Sequence, residues 1–372
     1  MSLEFASRIS RIPVYPVASG YDLGADVAML ASNESYFEPL PEVVAAAQAA
    51  IGRSNRYPDP AYAPLRRALA DRYELPLDRV ALGNGSCDIL LAAGEALLEP
   101  GAEVVYAWPA FSVYPHLAAA SGAREIQVPL NSEDRHNLQA LADEVTVATR
   151  LVLVCNPNNP TSTAVGLDEV EQLLERVPRH VCVILDEAYV EFSLRIGDPF
   201  ASLELLRRHP NLVLLRTFSK VYGLAAMRIG YALCGSPGFR TAVDQVRQPF
   251  YLGAATQAAA VEALRHQDQV ERRVAQTIAG RLALEETLRG LGLRVAESDA
   301  NFIWVHLPLP EDGPDAEADV LSGLAQRGVL VRSGSSLGHA GALRVTVGTE
   351  GENQRFVSAL ADVLGGLLEP GT

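Results

Sequence analysis

Five short apolar runs recur along the chain, at Arg79–Leu82, Glu103–Tyr106, Leu151–Cys155, Val181–Leu185 and Leu212–Leu215, each followed by a loop and a longer stretch. They are apolar throughout rather than alternating, which is how strands covered on both faces read. The intervening stretches, such as Ile89–Leu98 and Leu167–Val177, carry helical spacing. Strand and helix alternating in this way leave one economical arrangement, an α/β fold with a mostly parallel central sheet flanked by helices. Before it, the first 40 residues are punctuated by Pro13, Pro16, Gly20, Gly24 and Pro39, with Pro41 just after them, and read as an arm. Pro41–Gly52 and Pro64–Tyr73 read as short helices. After Tyr251 the texture changes to a long helical stretch from Thr256 to about Gly290. Strand-like Asn301–Leu307 and Leu343–Val347 and a closing helix from Asn353 complete it. The expected division is an arm over 1–29, a large domain over 30–250 and a smaller α+β domain over 251–372.

Composition narrows the partners. The chain has 372 residues, with 45 acidic side chains against 31 Lys and Arg, a formal charge of −14. An acidic surface disfavours nucleic acid and anionic membranes, which select basic faces. It leaves room for a local basic pocket. The four cysteines, Cys87, Cys155, Cys182 and Cys234, form no CxxC pair and read as structural thiols in a reducing compartment. The seven histidines show no metal spacing, so no metal is expected. The first 20 residues lack the apolar core of a signal peptide, and no run approaches a membrane span, so a cytoplasmic protein is expected.

Three of the apolar runs lead straight into polar residues. Leu151–Cys155 runs into Asn156-Pro157-Asn158-Asn159-Pro160-Thr161, Val181–Leu185 into Asp186-Glu187-Ala188-Tyr189, and Leu212–Leu215 into Arg216-Thr217-Phe218-Ser219-Lys220. Carboxyl ends of parallel strands form the ligand crevice in open α/β sheets, so an amide, a carboxylate, a phenol and an amine should converge there. Singly, each has a plain explanation: Asp186 could cap a helix, Asn159-Pro160 could make a turn, and Lys220 could be a solvated charge. Their placement at successive strand ends argues for a site.

With Arg228 eight positions after Lys220, the sequence resembles the pyridoxal-phosphate aminotransferases of fold type I, and within them the histidinol-phosphate aminotransferase family with its aromatic-amino-acid branch. The resemblance runs through LASNES (Leu30–Ser35), NRYPDP (Asn55–Pro60), GNGSCD (Gly83–Asp88), CNPNNPT (Cys155–Thr161), DEAYVEF (Asp186–Phe192), RTFSKVYGLAAMRIGY (Arg216–Tyr231) and LRVTVGT (Leu343–Thr349). It implies pyridoxal 5′-phosphate as cofactor. Lys220 would hold it covalently and then shuttle the proton between substrate Cα and cofactor C4′, at a pKa depressed by burial and nearby cations. Asp186 would keep the pyridine nitrogen protonated. Tyr189 and Asn159 would donate to the ring's phenolic oxygen, and Phe111 would stack on the ring. Gly85, Ser86 and Cys87 at a helix start, with Thr217, Ser219 and Arg228, would bind the phosphate. Tyr57 is implied to reach the phosphate of a neighbouring subunit, making a homodimer; a packed core tyrosine is its plainer reading. Arg344 is implied to bind the substrate's anionic tail, with Arg332 as a second cation or else a strand-end residue extending to solvent. Asn33 and Glu34 would help close the pocket, which Tyr15 and Tyr21 would line.

Three positions depart from the family pattern: Ser162 stands where Gly is usual, Cys87-Asp88 replaces a common Asp-Glu pair, and Glu38 sits where Gly is frequent. Ser162 and Cys87 are expected beside the cofactor. The expected reaction is transamination between an amino donor and 2-oxoglutarate. L-histidinol phosphate is the first donor, an aromatic amino acid such as phenylalanine the alternative, and decarboxylation of a phosphorylated amino acid a more distant one. GNGSCD lacks the third glycine of a dinucleotide loop, and with only about 30 residues ahead of the family blocks no DNA-binding domain is expected.

Overall fold

A computed structural model describes residues 3–12, 26–308 and 314–368. Seven strands form the central sheet: β2 (Val80–Gly83), β3 (Glu103–Trp108), β4 (Arg124–Pro129), β5 (Thr149–Cys155), β6 (Cys182–Asp186), β7 (Leu212–Thr217) and β8 (Gly230–Cys234), following the two-residue β1 (Ala28–Met29). Their order is β2-β8-β7-β6-β5-β3-β4. Pairings among β4, β3, β5, β6 and β7 are parallel, and β8 is antiparallel to both β7 and β2. The uninterrupted apolar runs have a simple cause. Val152, Val154, Val183, Leu185, Leu212 and Leu214 pack in one core cluster. Their alternates Leu151, Leu153, Ile184, Val213 and Leu215 pack in another. Successive side chains point to opposite faces and both faces are covered, each buried aliphatic contributing roughly 1.5–3 kcal/mol.

Two strands escaped the sequence reading. β4 is an edge strand whose residues are mostly exposed, so it has no apolar run to announce it. β8 is short, wholly buried and enters against the parallel grain. At its start Gly230 lies so close to the first turn of helix Ser86–Leu97 that a Cβ would sit 2.3 Å from the Ser86 amide nitrogen. Helices 41–51, 63–73, 86–97 and 167–176 stand where the spacing puts them. The stretch from Thr256 to Gly290 is not one helix: it divides into 254–263 and 267–290, with the Gln267 side chain donating to the Leu264 carbonyl at the break.

A second, antiparallel sheet follows, built from β9 (Arg294–Val295), β10 (Phe302–His306), β12 (Arg332–Ser333) and β13 (Ala342–Thr346) in the order β12-β13-β10-β9. β11 (Val329–Leu330) pairs in parallel with β1, so residues 28–29 are sewn into this half. Helices 314–326 and 350–368 and the end of helix 267–290 share its core. Among the described residues no helix is long and apolar enough to cross a membrane, and all four cysteines are free.

Candidate active site

Because β5, β6 and β7 are parallel and in register, with Cys155 opposite Asp186 and Asp186 opposite Leu215, their carboxyl ends open on one edge. There they meet β13 and the segment after β1 around a cavity of about 460 Å³. Its wall carries Asn33, Ser86, Cys87, Phe111, Asn159, Asp186, Tyr189, Thr217, Ser219, Lys220, Arg228, Arg332 and Arg344. Gly85 caps the helix behind Ser86 in a left-handed conformation, φ +83°. One expected residue falls elsewhere. Tyr57 is 82% exposed and stacks on Phe250 with ring centroids 4.6 Å apart, so neither the chain's own cavity nor a protein core holds it. Tyr21, like Tyr15, lies outside the described residues. Ser162 also misses the wall: it is fully buried behind it, its hydroxyl donating to Thr161 O and its carbonyl accepting from the Asp299 amide at 2.7 Å.

The loop after β5 shows why one of its three asparagines faces the cavity. Asn156 is used up in a reciprocal pair with the Val165 backbone, and Asn158 donates to Pro109 O and Thr161. Thr161 and Thr163 both donate to the Asp134 carbonyl, pinning the loop from outside. Asn159 is left to turn inward, where its Oδ1 accepts from Arg344 at 2.7 Å. Arg344 also donates to the Ala31 carbonyl at 2.6 Å.

Lys220 Nζ donates to the carbonyls of Asn33 and Ser32 at 2.9 and 3.2 Å. Burial, with Arg344 next to it, brings its pKa down to about 8, against the pull of Glu34. The amine is therefore partly neutral near physiological pH. Tyr189 accepts from the Asn33 side chain at 3.1 Å, and burial raises its phenol well above the ordinary range, so it stays a proton donor. Asn33 itself is left-handed, φ +53°, and held by Thr346.

Asp186 is 2% exposed and, among the described residues, its carboxylate accepts from the Tyr114 hydroxyl at 3.2 Å and the Ala188 amide at 3.3 Å. Burial pushes its carboxyl up to about 7, the two hydrogen bonds only partly offsetting this. A buried carboxylate without a cationic partner among the described residues is a place for a ligand cation. Opposite it, the first-turn amides of Ser86 and Cys87 have no intrahelical acceptor, and Arg228 reaches the same helix start: a Cβ on Gly85 would lie 2.3 Å from its guanidinium. An anion pocket at one end and an acidic group at the other suit a phosphate-bearing ring with a basic nitrogen. The residues present fit pyridoxal 5′-phosphate.

Sequence reasoning missed Tyr114, three positions after Phe111 and edge-on to it, with centroids 5.9 Å apart. Its spacing from Phe111 at the opening of helix 114–121 was the one available sign. It also missed the buried pair Glu187–Arg216, 2.8 Å apart, whose members flank Asp186 and Thr217 and tie two strand ends together beneath the site. Leu337, from the segment between β12 and β13, was missed as well, since nothing local marks it.

The aminotransferase class I and II family model matches residues 25–360. Among similar curated proteins, the aromatic amino acid aminotransferase of Thermobifida fusca is 45% identical over 333 residues, covering 89% of each chain. Histidinol-phosphate aminotransferase 2 of Pseudomonas fluorescens is 40% identical, covering 95% of this chain and 93% of its own. Among solved structures, histidinol-phosphate aminotransferase of Sinorhizobium meliloti in complex with pyridoxal-5′-phosphate aligns over 99% of both chains with a TM-score of 0.86 at 27% identity.

Proposed function

The chain belongs to the aminotransferase class I and II family, and from that premise we propose that it moves the amino group of an aromatic amino acid, with phenylalanine as the reference donor, to a 2-oxo acid such as 2-oxoglutarate. It is a transaminase that works with pyridoxal 5′-phosphate. The observation that carries the reading is the convergence of Lys220, Asp186, Tyr189, Asn159, Arg228 and Arg344 on one cavity. When bound, the cofactor supplies a protonated ring that accepts the electron pair released at the substrate's Cα. Lys220 holds the cofactor and then carries the proton at Cα, while Asp186 keeps the ring nitrogen charged. Tyr189 and Asn159 would donate to the ring oxygen, and Phe111 would cover the ring. The Ser86 and Cys87 amides, Thr217, Ser219 and Arg228 bind the phosphate. Arg344 takes the donor's carboxylate, giving up its contact to Ala31 O.

This donor order reverses the first sequence expectation. The names of the relatives support it, with the aromatic name on the nearer of the two curated relatives, as does the apolar wall of Phe111 and Leu337. A specific observation favours histidinol phosphate as the second reading: the Arg332 guanidinium lines the cavity beside Arg344, and among the described residues it meets no carboxylate. Comparing kcat/KM for phenylalanine and histidinol phosphate decides between them. Phenylalanine is expected to lead by at least about tenfold, and Arg332→Ala to leave its kcat/KM within about threefold. A lead for histidinol phosphate that collapses in Arg332→Ala would sink the aromatic reading. We assign the active form to a homodimer, supported by the outward-facing Tyr57–Phe250 pair, which is placed to serve a second copy.

The lysine also sets a pH dependence. Lys220 would react only as the neutral amine, with water released, so the rate at which apoprotein takes up pyridoxal 5′-phosphate covalently should rise about tenfold per pH unit below 8 and flatten above it. Arg344→Ala removes a cation that disfavours the ammonium, so the break is expected to move to higher pH. An unmoved break in that variant would remove Arg344 as a cause of the shift.

A further inference from the structure

The substrate end of the cavity is closed by a segment of the second half, from Arg332 in β12 to Ala342 in β13. This segment has almost no regular structure: one 3-10 turn, Ser335–Leu337, between two strands. Its shape comes instead from a single side chain. Glu317, in the first turns of helix 314–326, is 2% exposed, and both its oxygens are saturated by this segment. Oε1 accepts from the Ser333 hydroxyl at 2.6 Å and the Ser335 amide at 3.0 Å; Oε2 accepts from the Ser335 hydroxyl at 2.8 Å and the Gly341 amide at 2.7 Å. The four donors reach both ends of the turn. Burial opposes ionisation of Glu317, yet the donors hold its carboxyl below the ordinary value.

The far side of the turn is fixed by contact with the large half. Gly338 is left-handed, φ +92°, and a Cβ there would lie 2.6–2.7 Å from three atoms of the Trp108 indole, so only glycine lets the turn lie flat on that ring. Trp108 ends β3 and leads through Pro109 to Phe111, which lines the cavity. Leu337, next to Gly338 in the turn, is 6% exposed, packs with Ala296, Trp304 and Ala342, and forms part of the cavity wall. Glu317, bonded to residues before and after the turn, and Trp108, against Gly338, hold the turn that carries it.

We propose that Glu317 is a positioning residue for donor selectivity: by clamping Ser333–Gly341 it sets Leu337 against the donor's side chain, and so determines how large a side chain the site prefers. The proposal rests on the aminotransferase reading of the cavity. Glu317 touches no reacting atom, and its effect should depend on the donor. A donor with a large apolar side chain uses the Leu337 wall; alanine does not reach it. Changes in one apolar contact shift discrimination by about 10- to 200-fold.

The test is made on the cofactor-loaded enzyme with phenylalanine, histidinol phosphate and alanine as donors. Glu317→Gln keeps the volume and offers one acceptor oxygen where four donors meet two. In it, the ratio of kcat/KM for the preferred large donor to that for alanine is expected to fall about tenfold, mostly through KM, with kcat for alanine and the cofactor's absorption unchanged. Leu337→Ala should lower the same ratio. Ser335→Ala, which removes one donor and keeps the carboxylate paired, covers the case in which Glu317→Gln does not fold; a smaller fall in the same ratio is expected. An unchanged ratio in all three variants, or an equal loss on every donor, overturns the proposal. If the wild type prefers histidinol phosphate, the aromatic reading fails while the ratio to alanine still decides the role of Glu317.

Discussion

Replacing Lys220 with alanine is expected to lower kcat by about 10⁴-fold, the upper end of what a positioned proton-transfer group supplies, while the folded protein still takes up cofactor. The asymmetry follows from where the binding groups sit. In the proposed arrangement the start of helix 86–97, Thr217, Ser219 and Arg228 would bind the phosphate and Asp186 the ring nitrogen, and all of them line the cavity or its edge. None of these depends on the lysine side chain. What Lys220 alone brings is an amine with a pKa near 8, held over the Tyr189 ring at 5.6 Å and beside the place where the donor's Cα would lie. Its loss leaves the carbonyls of Ser32 and Asn33 without its ammonium, but Asn33 O keeps a hydrogen bond from Asn301 at 3.2 Å, so the segment stays anchored. Absorbance of the bound cofactor and steady-state kcat on the same preparation make the comparison. Turnover within tenfold of wild type would remove Lys220 from its assigned role.

Asp186→Asn should separate catalysis from stability. With the ring nitrogen's acidic partner neutralised, kcat is expected to fall by about 10²–10³-fold, as for other preorganised electrostatic contacts. The apoprotein should respond in the opposite sense. The carboxyl has a pKa of about 7 when folded and an ordinary low value when unfolded. The unfolded chain thus releases its proton first as pH rises. Its contribution to stability is fully present below about pH 4 and is lost progressively as pH rises through 7. Asparagine cannot ionise, and it still offers an oxygen to the Ala188 amide and a donor to Tyr114. Apo Asp186→Asn is therefore expected to melt at a higher temperature than wild type at pH 8, with the difference shrinking toward pH 4. Calorimetry at the two pH values reads this directly. A variant less stable than wild type at pH 8 would show that Asp186 is not an unpaired buried charge.

Most of the site was legible because its residues are local to strand ends. Asp186, Thr217 and Lys220 follow apolar runs by one to a few positions, and a parallel sheet brings such ends to one edge whatever the loops do. The glycine and first-turn residues at 85–87 were legible for a similar reason, since a helix start presents amides in any context. Leu337, Tyr114 and Glu317 were not legible. Leu337 and Glu317 lie in another half of the chain from most of the site, and the helical spacing around Glu317 marks a buried face without showing which segment it binds. Ser162 was misjudged because adjacency in sequence to Asn159 is not adjacency to the cavity: the left-handed backbone at Ser162, φ +62°, turns it behind the wall. The helical stretch after Thr256 was read as continuous because composition there barely changes, whereas the chain leaves helical geometry at His266, where the Gln267 side chain donates to the Leu264 carbonyl.

The sequence alone determined the class of fold and the chemistry at the strand ends. Both follow from short-range pattern: uniform apolar runs require covered strands, and covered parallel strands align their carboxyl ends. Tertiary structure alone decided which asparagine faces inward, which carboxylate is left without a cation, and what closes the substrate end. Those outcomes depend on desolvation and on hydrogen-bond partners from distant segments, such as Arg344 reaching Asn159 and Glu317 gathering Ser333, Ser335 and Gly341. A side chain's partners across the fold set its charge and direction, and no local spacing encodes them.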